Sequence, residues 1–437
     1  MKKRIQKILG DTDQKEILSK GFSFLGFRLG GTLIGYFFTL FITQKFGADI
    51  YGIIALGFSV FLIISVIGRL GLDINLVRFF SEDNNNSETG IFYKSVFKSF
   101  LVSFILASII YFLKEPLVMK VFREPKPELL PYLPWILAAI PFWSLGLVSA
   151  GYFRAKKQNQ AFAFFNNPSR FLFGLIILLI LYNLDQDPII IVKAHFYGVL
   201  ITSLLSFGLV TYQIKNISFK SEMSSWNFIK DSLPMMLSSS ILILLGWMDT
   251  FIMGIYEDTE SVGIYNISLK VATLTTFTLQ AINSILAPKI AKSYAADEEQ
   301  NYKKLISFST KLNFLITVAV MLIIVIFHDF LLGIFGEEFK AGYIILFIFC
   351  AGQLVNSLSG SVGIIMQMIG KQKVYQNFVI IALFINLALT FILTPLYGGI
   401  GAAVSTVISM VFWNIGCAVY LKKKMNIRSY YDPRIKN

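Results

Sequence analysis

The sequence predicts an all-α integral membrane protein: about twelve transmembrane helices in two pseudo-symmetric six-helix bundles, with both termini in the cytoplasm. Three observations predict it. The chain contains apolar runs of membrane-crossing length, it is poor in charge, and its Lys and Arg residues fall on alternate connections.

Of 437 residues, 55% are hydrophobic and 15% charged, and the mean hydropathy is +0.66. Soluble domains carry about 25% charged residues. The polar material here is too scarce to cover a soluble fold of this size, and a lipid-facing surface explains the shortage. The net charge of +13 raises nucleic acid or a membrane as partners. Nucleic-acid binding needs a basic stripe on a soluble domain, and no soluble segment is long enough, so no nucleic-acid partner is expected. Two cysteines, Cys350 and Cys417, lie within apolar runs and form no disulfide framework or metal spacing. The charged first sixteen residues lack an apolar core, so targeting is expected from the first span and not from a cleaved signal peptide.

A crossing helix needs about 20 apolar residues. Six runs in the first half meet that need: Phe22–Thr43, Tyr51–Gly68, Phe97–Leu113, Leu129–Tyr152, Ala161–Tyr182 and Ile189–Tyr212. Six follow in the second: Leu233–Tyr256, Val262–Ala287, Ile306–Phe327, Tyr343–Ile369, Val374–Leu396 and Gly398–Leu421. The expected organisation is a lobe over 1–215, a cytoplasmic linker over 216–230, a second lobe over 231–421 and a basic tail over 422–437.

Orientation follows from the basic residues. The N-terminus, the connections after even-numbered spans and the tail hold 30 of the 39; the other side holds 7, and two lie inside spans. The basic side is therefore cytoplasmic in this reading, which places the chain in the cell membrane as a multi-pass protein. The opposite face is acidic, with Asp185, Asp187, Glu257, Asp258, Glu260, Asp329, Glu337 and Glu338.

The halves resemble each other. Gly47-Ala-Asp-Ile-Tyr51-Gly52 parallels Glu260-Ser-Val-Gly263-Ile-Tyr265, Arg78 falls opposite Lys289, and Lys157-Gln158 falls opposite Lys371-Gln372, the last at an offset of 214. Six spans per half is even, so both halves point the same way, as in a parallel repeat around a central cavity.

An ionisable residue inside a span costs about 2.5–3.5 kcal/mol on insertion scales and asks for a reason. Three qualify. Arg28 lies about 9 Å into the first span, at 1.5 Å per residue; it either snorkels to the headgroups or faces the cavity, where its planar fork suits a phosphate. Asp249 and Lys270 sit about 10 and 12 Å deep on the seventh and eighth spans. They either lock that hairpin as an ion pair or exchange partners, with Asp249 taking up H+ or Na+ as the coupling ion. Arg69 and Asp73 read as an i,i+4 helix pair. Arg78, Arg154 and Arg170 stand at cytoplasmic span ends, either as orientation determinants or lining an inward vestibule for phosphate. His195 and His328 have no second ligand at metal spacing. Pro141, Pro234, Pro288 and Pro395 can kink their helices. Walker loop, metal cluster and nucleophile elbow are all missing, so an enzyme is not expected, and neither is a catalytic residue, a metal or a cofactor beyond the coupling ion.

Several stretches resemble the polysaccharide transporter branch of the multidrug/oligosaccharidyl-lipid/polysaccharide (MOP) exporter superfamily, the oligosaccharide flippases. They are Phe46-Gly47…Tyr51-Gly52, Gly71-Leu72…Val77-Arg78-Phe79, Trp247-Met-Asp249-Thr-Phe…Val262-Gly263-Ile-Tyr265-Asn…Lys270, Gly370-Lys371-Gln372 and Pro395-Leu-Tyr397-Gly398-Gly-Ile-Gly401-Ala402-Ala403. The resemblance implies a two-lobed fold working by alternating access. It implies a polyprenyl-(pyro)phosphate-linked oligosaccharide as substrate, with Arg28 and Lys270 on its phosphates. Glycosyltransferases and a polysaccharide polymerase are the implied functional partners. The superfamily also contains cation-coupled multidrug exporters, the alternative reading. Many of those carry an acid in the first span, where this chain has Arg28. A non-transporting scaffold is a third reading.

Overall fold

Hydrocarbon offers no partner to a free peptide group, so each apolar run closes its own hydrogen bonds as a helix. The structure, a computed structural model, describes residues 12–81, 89–166, 168–214, 218–221 and 224–432; side chains at 12–25, 27–29, 237–239 and 284–285 lie outside that description. Among the described residues the regular structure is entirely helical. Packing divides the chain into two compact units, Met1–Ile255 and Tyr256–Asn437. That division falls after the seventh span, whereas the repeat suggests one at the 216–230 linker.

The first unit holds α1 (Thr12–Gly68), α2 (Leu72–Phe80), α3 (Thr89–Phe112), α4 (Lys114–Lys120), α5 (Leu133–Ala155), α6 (Asn159–Asn166), α7 (Pro168–Tyr182), α8 (Ile190–Gln213) and nearly all of α9 (Ser225–Tyr256). The second holds α10 (Thr259–Ala272), α11 (Thr276–Ala295), α12 (Glu299–Ile326), α13 (His328–Gly333), α14 (Tyr343–Ser359), α15 (Val362–Met368) and α16 (Gln372–Met425). Seven described helical stretches are long and apolar enough to cross a membrane, and the bent pairs α6–α7 (48°) and the two parts of α9 (59°) bring this to nine. Two of the nine, α1 and α16, are each a pair of spans joined at a non-helical glycine, Gly47 (φ +79°) and Gly398 (φ +56°). Glycine is needed there because a Cβ opposes positive φ. The chain doubles back at both. Tyr51 and Thr39 share a side-chain hydrogen bond although a straight helix would hold them about 18 Å apart, and a Cβ on Gly401 would sit 2.2 Å from Leu393 O. With those two pairs divided, and with α10 and α11 read as one broken span, the described helices group into the twelve spans the sequence predicts.

Three spans differ from their expected form. The third begins at Thr89, not Phe97, and takes in Lys94 and Lys98; the Lys98 ammonium lies 3.8 Å from the ring centre of Trp226, and such cation–π contact offsets part of its desolvation. The eighth breaks into a 3-10 turn at Thr273–Thr275. The tenth breaks at Gly360 (φ +76°) between α14 and α15.

The fourth and tenth spans end alike. Gln158 N–H donates to Phe153 O and Lys157 N–H to Arg154 O; Lys371 N–H donates to Met366 O and Gly370 N–H to Gln367 O. Both are Schellman closures with a left-handed residue, Lys157 (φ +57°) or Gly370 (φ +75°). Superposing the two motifs gives an offset of 213, one less than the sequence match.

Each unit has an aromatic-rich apolar cluster at one end. In the first it joins α2, α3, α5 and the start of α9 through Leu76, Phe80, Phe92, Phe153 and Phe228. Gly71 (φ +71°) makes this possible: a Cβ there would lie 2.4 Å from Ser232 O. Asn75 Nδ2 then donates to Phe228 O (3.0 Å) and Ser232 Oγ (3.1 Å), satisfying two buried acceptors. In the second unit the cluster joins α11, α12, α15 and the end of α16 through Ile290, Ile306, Ile365 and Leu421. The residues beyond α16 fold back onto this unit. Ile427 and Ser429 are fully buried, Thr310 Oγ1 donates to Ser429 O (2.7 Å), and Tyr431 N–H donates to Leu358 O (2.9 Å).

Candidate functional site

Proline suits the first turn of a helix, so Pro168 starts α7 afresh and places Arg170 on its first turn, pointing inward. Arg170 is 7% exposed. Its guanidinium carbon lies 4.6 Å from the ring centres of both Trp143 and Phe171 and 5.7 Å from that of Phe61. It makes no ion pair among the described residues, and its Nε–H has no hydrogen-bond acceptor there. Rings stack on the faces of a guanidinium, whereas its donors lie in its plane. The stacking therefore holds the cation in the interior without consuming all its donors.

Beside it lies His195 on α8, 2% exposed, its ring centre 4.5 Å from Phe58 and 5.0 Å from Phe61. Phe61 touches both polar residues. Helices α7 and α8 approach closely because Gly198 faces Arg170 O and Gly174 N; a Cβ there would sit at 2.6 and 2.7 Å. Within the same unit Ser149, Ser169, Thr202 and Ser203 are buried with hydroxyls that have no partner in the described structure. Buried polar groups are normally paired. Arg170 is thus a buried guanidinium without an ion-pair partner among the described residues, suited to an anion that can accept from its edge.

In the second unit Lys270 is half-buried on the last turn of α10, immediately before the 3-10 break. A cation is favourable at a helix C-terminus. At the break threonine hydroxyls add to the backbone bonding: Thr273, Thr275 and Thr276 donate to Lys270 O, Ala272 O and Thr273 O, each at 2.7 Å, and Thr273 O also accepts from Thr276 N–H. The Thr273-Leu-Thr-Thr-Phe-Thr run was the available signal for this feature, and periodicity alone misses it. Deeper polar groups of this unit are neutral. Asn313 and Asn386 are buried, both side-chain amide atoms of each lacking a partner among the described residues.

The remaining expected site residues are dispersed. The side chain of Arg28 lies outside the described residues. Asp249 is buried in α9 at 3% exposure; it belongs to the first unit and Lys270 to the second. Arg78 and Arg154 are exposed in the last turns of α2 and α5. Their helices meet closely: Lys156 Nζ donates to Phe80 O at 3.2 Å, and a Cβ on Gly151 would sit 2.5 Å from Asp73 O. Arg154 stacks on Phe162 at 5.2 Å. Arg69 and Asp73 form the expected i,i+4 pair at 3.1 Å. His328 Nδ1 lies 2.9 Å from Val325 O. Sequence reasoning passed over Trp143 and Phe61 as partners of Arg170, because an aromatic cage whose rings come from three helices leaves no spacing signature.

Comparisons with known proteins agree with this architecture. The model of the polysaccharide biosynthesis protein family matches residues 17–294, and the MatE model matches 234–392. The Haloferax volcanii protein named "probable low-salt glycan biosynthesis flippase Agl15" is 28% identical over 256 residues, 58% of this chain and 53% of that protein; the chain thus spans about half the length of the curated relatives it matches. Among solved structures, an inward-facing MATE multidrug transporter of the MOP superfamily gives a TM-score of 0.71 at 16% identity, covering 93% of this chain and 98% of that one. The lipid II flippase MurJ in an inward closed conformation gives 0.70 at 16%, covering 92% and 87%. At that identity the likeness concerns the fold. With well over half its length matched by one family model, this multi-pass membrane chain belongs to the polysaccharide biosynthesis protein family and has the helical fold of MOP-superfamily transporters.

Proposed function

We propose that the protein is a flippase that carries a polyprenyl-(pyro)phosphate-linked oligosaccharide across the cytoplasmic membrane by alternating access. The observation that carries this reading is Arg170, a buried cation without an ion-pair partner among the described residues, stacked on Trp143 and Phe171 with its Nε–H unpaired. A phosphate accepts two parallel hydrogen bonds from a guanidinium edge, and a cationic drug would be repelled by it. Arg28 and Lys270 would also bind phosphate, and Arg78 and Arg154 would attract it at the cytoplasmic rim. The flippase names of the partial relatives support the substrate class. Glycosyltransferases that build the lipid-linked sugar, and a polymerase that consumes it, would be the functional partners.

Buried Asp249 supports the second reading, a cation-coupled exporter, and the MATE-like fold is compatible with it. In the flippase cycle the same carboxylate would take up H+ or Na+ to reset the carrier. Reconstitution separates the two. In proteoliposomes the expected result is movement of a fluorescent lipid-linked oligosaccharide that Arg170→Ala and Lys270→Ala abolish while insertion persists. Proton-driven dye export without lipid movement would replace the flippase reading with the exporter.

A further inference from the structure

A continuous helix would pair Leu358 O with Val362 N–H, four residues on. Span ten does not do this. At its break Gly360 turns to φ +76°, Val362 N–H donates instead to Gly360 O at 2.8 Å, and the helix resumes with Ile365 N–H on Ser361 O at 2.9 Å. Leu358 O is taken up from outside the span, by Tyr431 N–H at 2.9 Å. A segment remote in the chain thus supplies the bond that the break removes.

That segment is a strap. Asn426 (φ +53°) turns the chain away from α16, and the side chains then alternate: Ile427 and Ser429 are fully buried, whereas Arg428 and Tyr430 are half-buried. Such alternation belongs to extended backbone. Ser429 O accepts from Thr310 Oγ1 at 2.7 Å, and the Tyr431 ring stacks on Phe314 with 4.8 Å between ring centres, both on α12. Gly360 lets the strap pass, since a Cβ there would sit 2.3 Å from Ser429 O. The fit is imperfect: Ser429 Oγ is buried with no partner among the described residues, and an unmet polar group favours opening. Short irregular segments at the end of a unit are drawn from the low-stability end of a structure.

We infer that Leu358 O exchanges between two donors and that span ten is a two-state element. In one state the strap supplies Tyr431 N–H and the span is broken. In the other the strap has left, Gly360 has helical φ, and Val362 N–H closes a continuous helix. Leu358 O is paired in both, as an apolar surrounding demands. Thr310 Oγ1, released from Ser429 O, can turn back to a carbonyl of its own helix. Assigning this exchange to a step of the carrier rests on the transport reading above; the exchange itself does not.

Two measurements on the full chain in proteoliposomes keep these apart. Trypsin cleavage after Arg428 reads the opened strap, because cleavage follows the population of the open form. Movement of a fluorescent lipid-linked oligosaccharide reads transport. Val362→Pro removes the donor of the continuous state, while proline suits the first turn of α15. Cleavage and transport are both expected to fall about a hundredfold, the shift that a proline inside a helix imposes on the continuous state. Gly360→Ala favours helical φ, and cleavage is expected to rise. Should Val362→Pro fail to insert, a reducible thiol cross-linker between Phe314→Cys and Tyr431→Cys, with Cys350 and Cys417 replaced by Ala, supplies the lock; transport is expected to stop and to return on reduction. Cleavage unchanged in both Val362→Pro and Gly360→Ala would overturn the exchange. Slowed cleavage, or a locked strap, with transport at the unaltered rate would overturn its place in the carrier cycle. Cleavage that responds as expected in a protein that moves no lipid would support the exchange and strike the flippase reading instead.

Discussion

The two compact units solve the same packing problem with different interiors. Both carry an apolar cluster at one end, built where short or broken helices cross. Both bury polar groups that have no partner among the described residues. In the first unit they include the Nε–H of a guanidinium stacked on aromatic rings; in the second they include amides and hydroxyls such as those of Asn313, Asn386 and Thr394. The lesson concerns charge, since a neutral amide costs far less to bury than a guanidinium. An interior that retains a guanidinium implies a use for it that an amide cannot meet.

A matched pair of apolar replacements tests the contrast most directly, and carries the largest expected effect. Arg170→Met keeps the volume between Trp143 and Phe171 and removes the charge. Transport is expected to fall about a hundredfold, within the 2–5 kcal/mol lost when one partner of a buried charged pair is truncated. Arg170→Lys is expected to rescue it only in part, because a point charge lacks the planar fork. Asn386→Leu is expected to leave transport intact and to stabilise the protein by about 1–3 kcal/mol, since it removes two unpaired buried groups. Flipping rates and thermal melts of the two variants are the measurements. A loss of transport in Asn386→Leu equal to that in Arg170→Met would make both interiors functional and erase the contrast.

The units also differ in how the chain leaves them. Residues 218–221 of the linker lie against Gly90, where a Cβ would sit 2.1 Å from Lys220 O. The tail lies against Gly360, where a Cβ would sit 2.3 Å from Ser429 O and 2.5 Å from Thr310 Oγ1, and where φ is +76°. Gly90→Ala meets crowding alone, whereas Gly360→Ala meets crowding and left-handed strain. Gly360→Ala is expected to destabilise by about 3 kcal/mol and to release the tail, read by melting and by protease cleavage after Met425. Gly90→Ala is expected to cost less. Equal costs would mean that the backbone conformation at Gly360 adds nothing to the close approach.

A smaller effect is expected at the break of span eight, for which the structure describes no comparable 3-10 turn inside span two. Replacing Thr273 and Thr276 by Val removes two hydroxyl donors from carbonyls at the break at similar shape. About 1 kcal/mol per hydrogen bond is expected, seen as a lower melting temperature. Pairing the same Val substitutions with Lys270→Ala asks whether the break serves the cation: coupled losses in transport support that, and additive ones separate them.

The twelve spans were legible because length and apolarity are one-dimensional properties, and a membrane admits few other solutions. Four of the glycines quoted for the family resemblance have a reason in the backbone: Gly47, Gly71, Gly370 and Gly398 all hold positive φ. Arg69–Asp73 was legible because i,i+4 contacts are local. The breaks at Thr273 and Gly360 were not, since hydrophobicity continues through them and the bonds beside them come from threonine hydroxyls and from the distant Tyr431 N–H. Nor was the Arg170 cage. Its rings come from Phe61, Trp143 and Phe171 on three helices, and a proximity made by tertiary packing leaves no spacing in the chain.

The smallest expected effect lies in the tail that closes the second unit. Tyr430 sits beside Lys422 and Arg428; hydrogen bonding to Lys422, with further help from Arg428, holds its phenol below the ordinary tyrosine range against the opposing effect of burial. A phenol whose folded pKa is depressed adds stability fully only above its unfolded pKa, near 10, and loses that contribution as pH falls through the lower folded value. Tail docking is therefore expected to tighten slightly between neutral pH and about pH 10. Tyr430→Phe is expected to remove that rise while keeping the ring that Lys422 and Arg428 stack on. Protease accessibility of the tail at the two pH values, in both proteins, is the measurement. An identical pH response in Tyr430→Phe would move the titration to another group and leave the ring contact as the tail's connection to the basic end of α16.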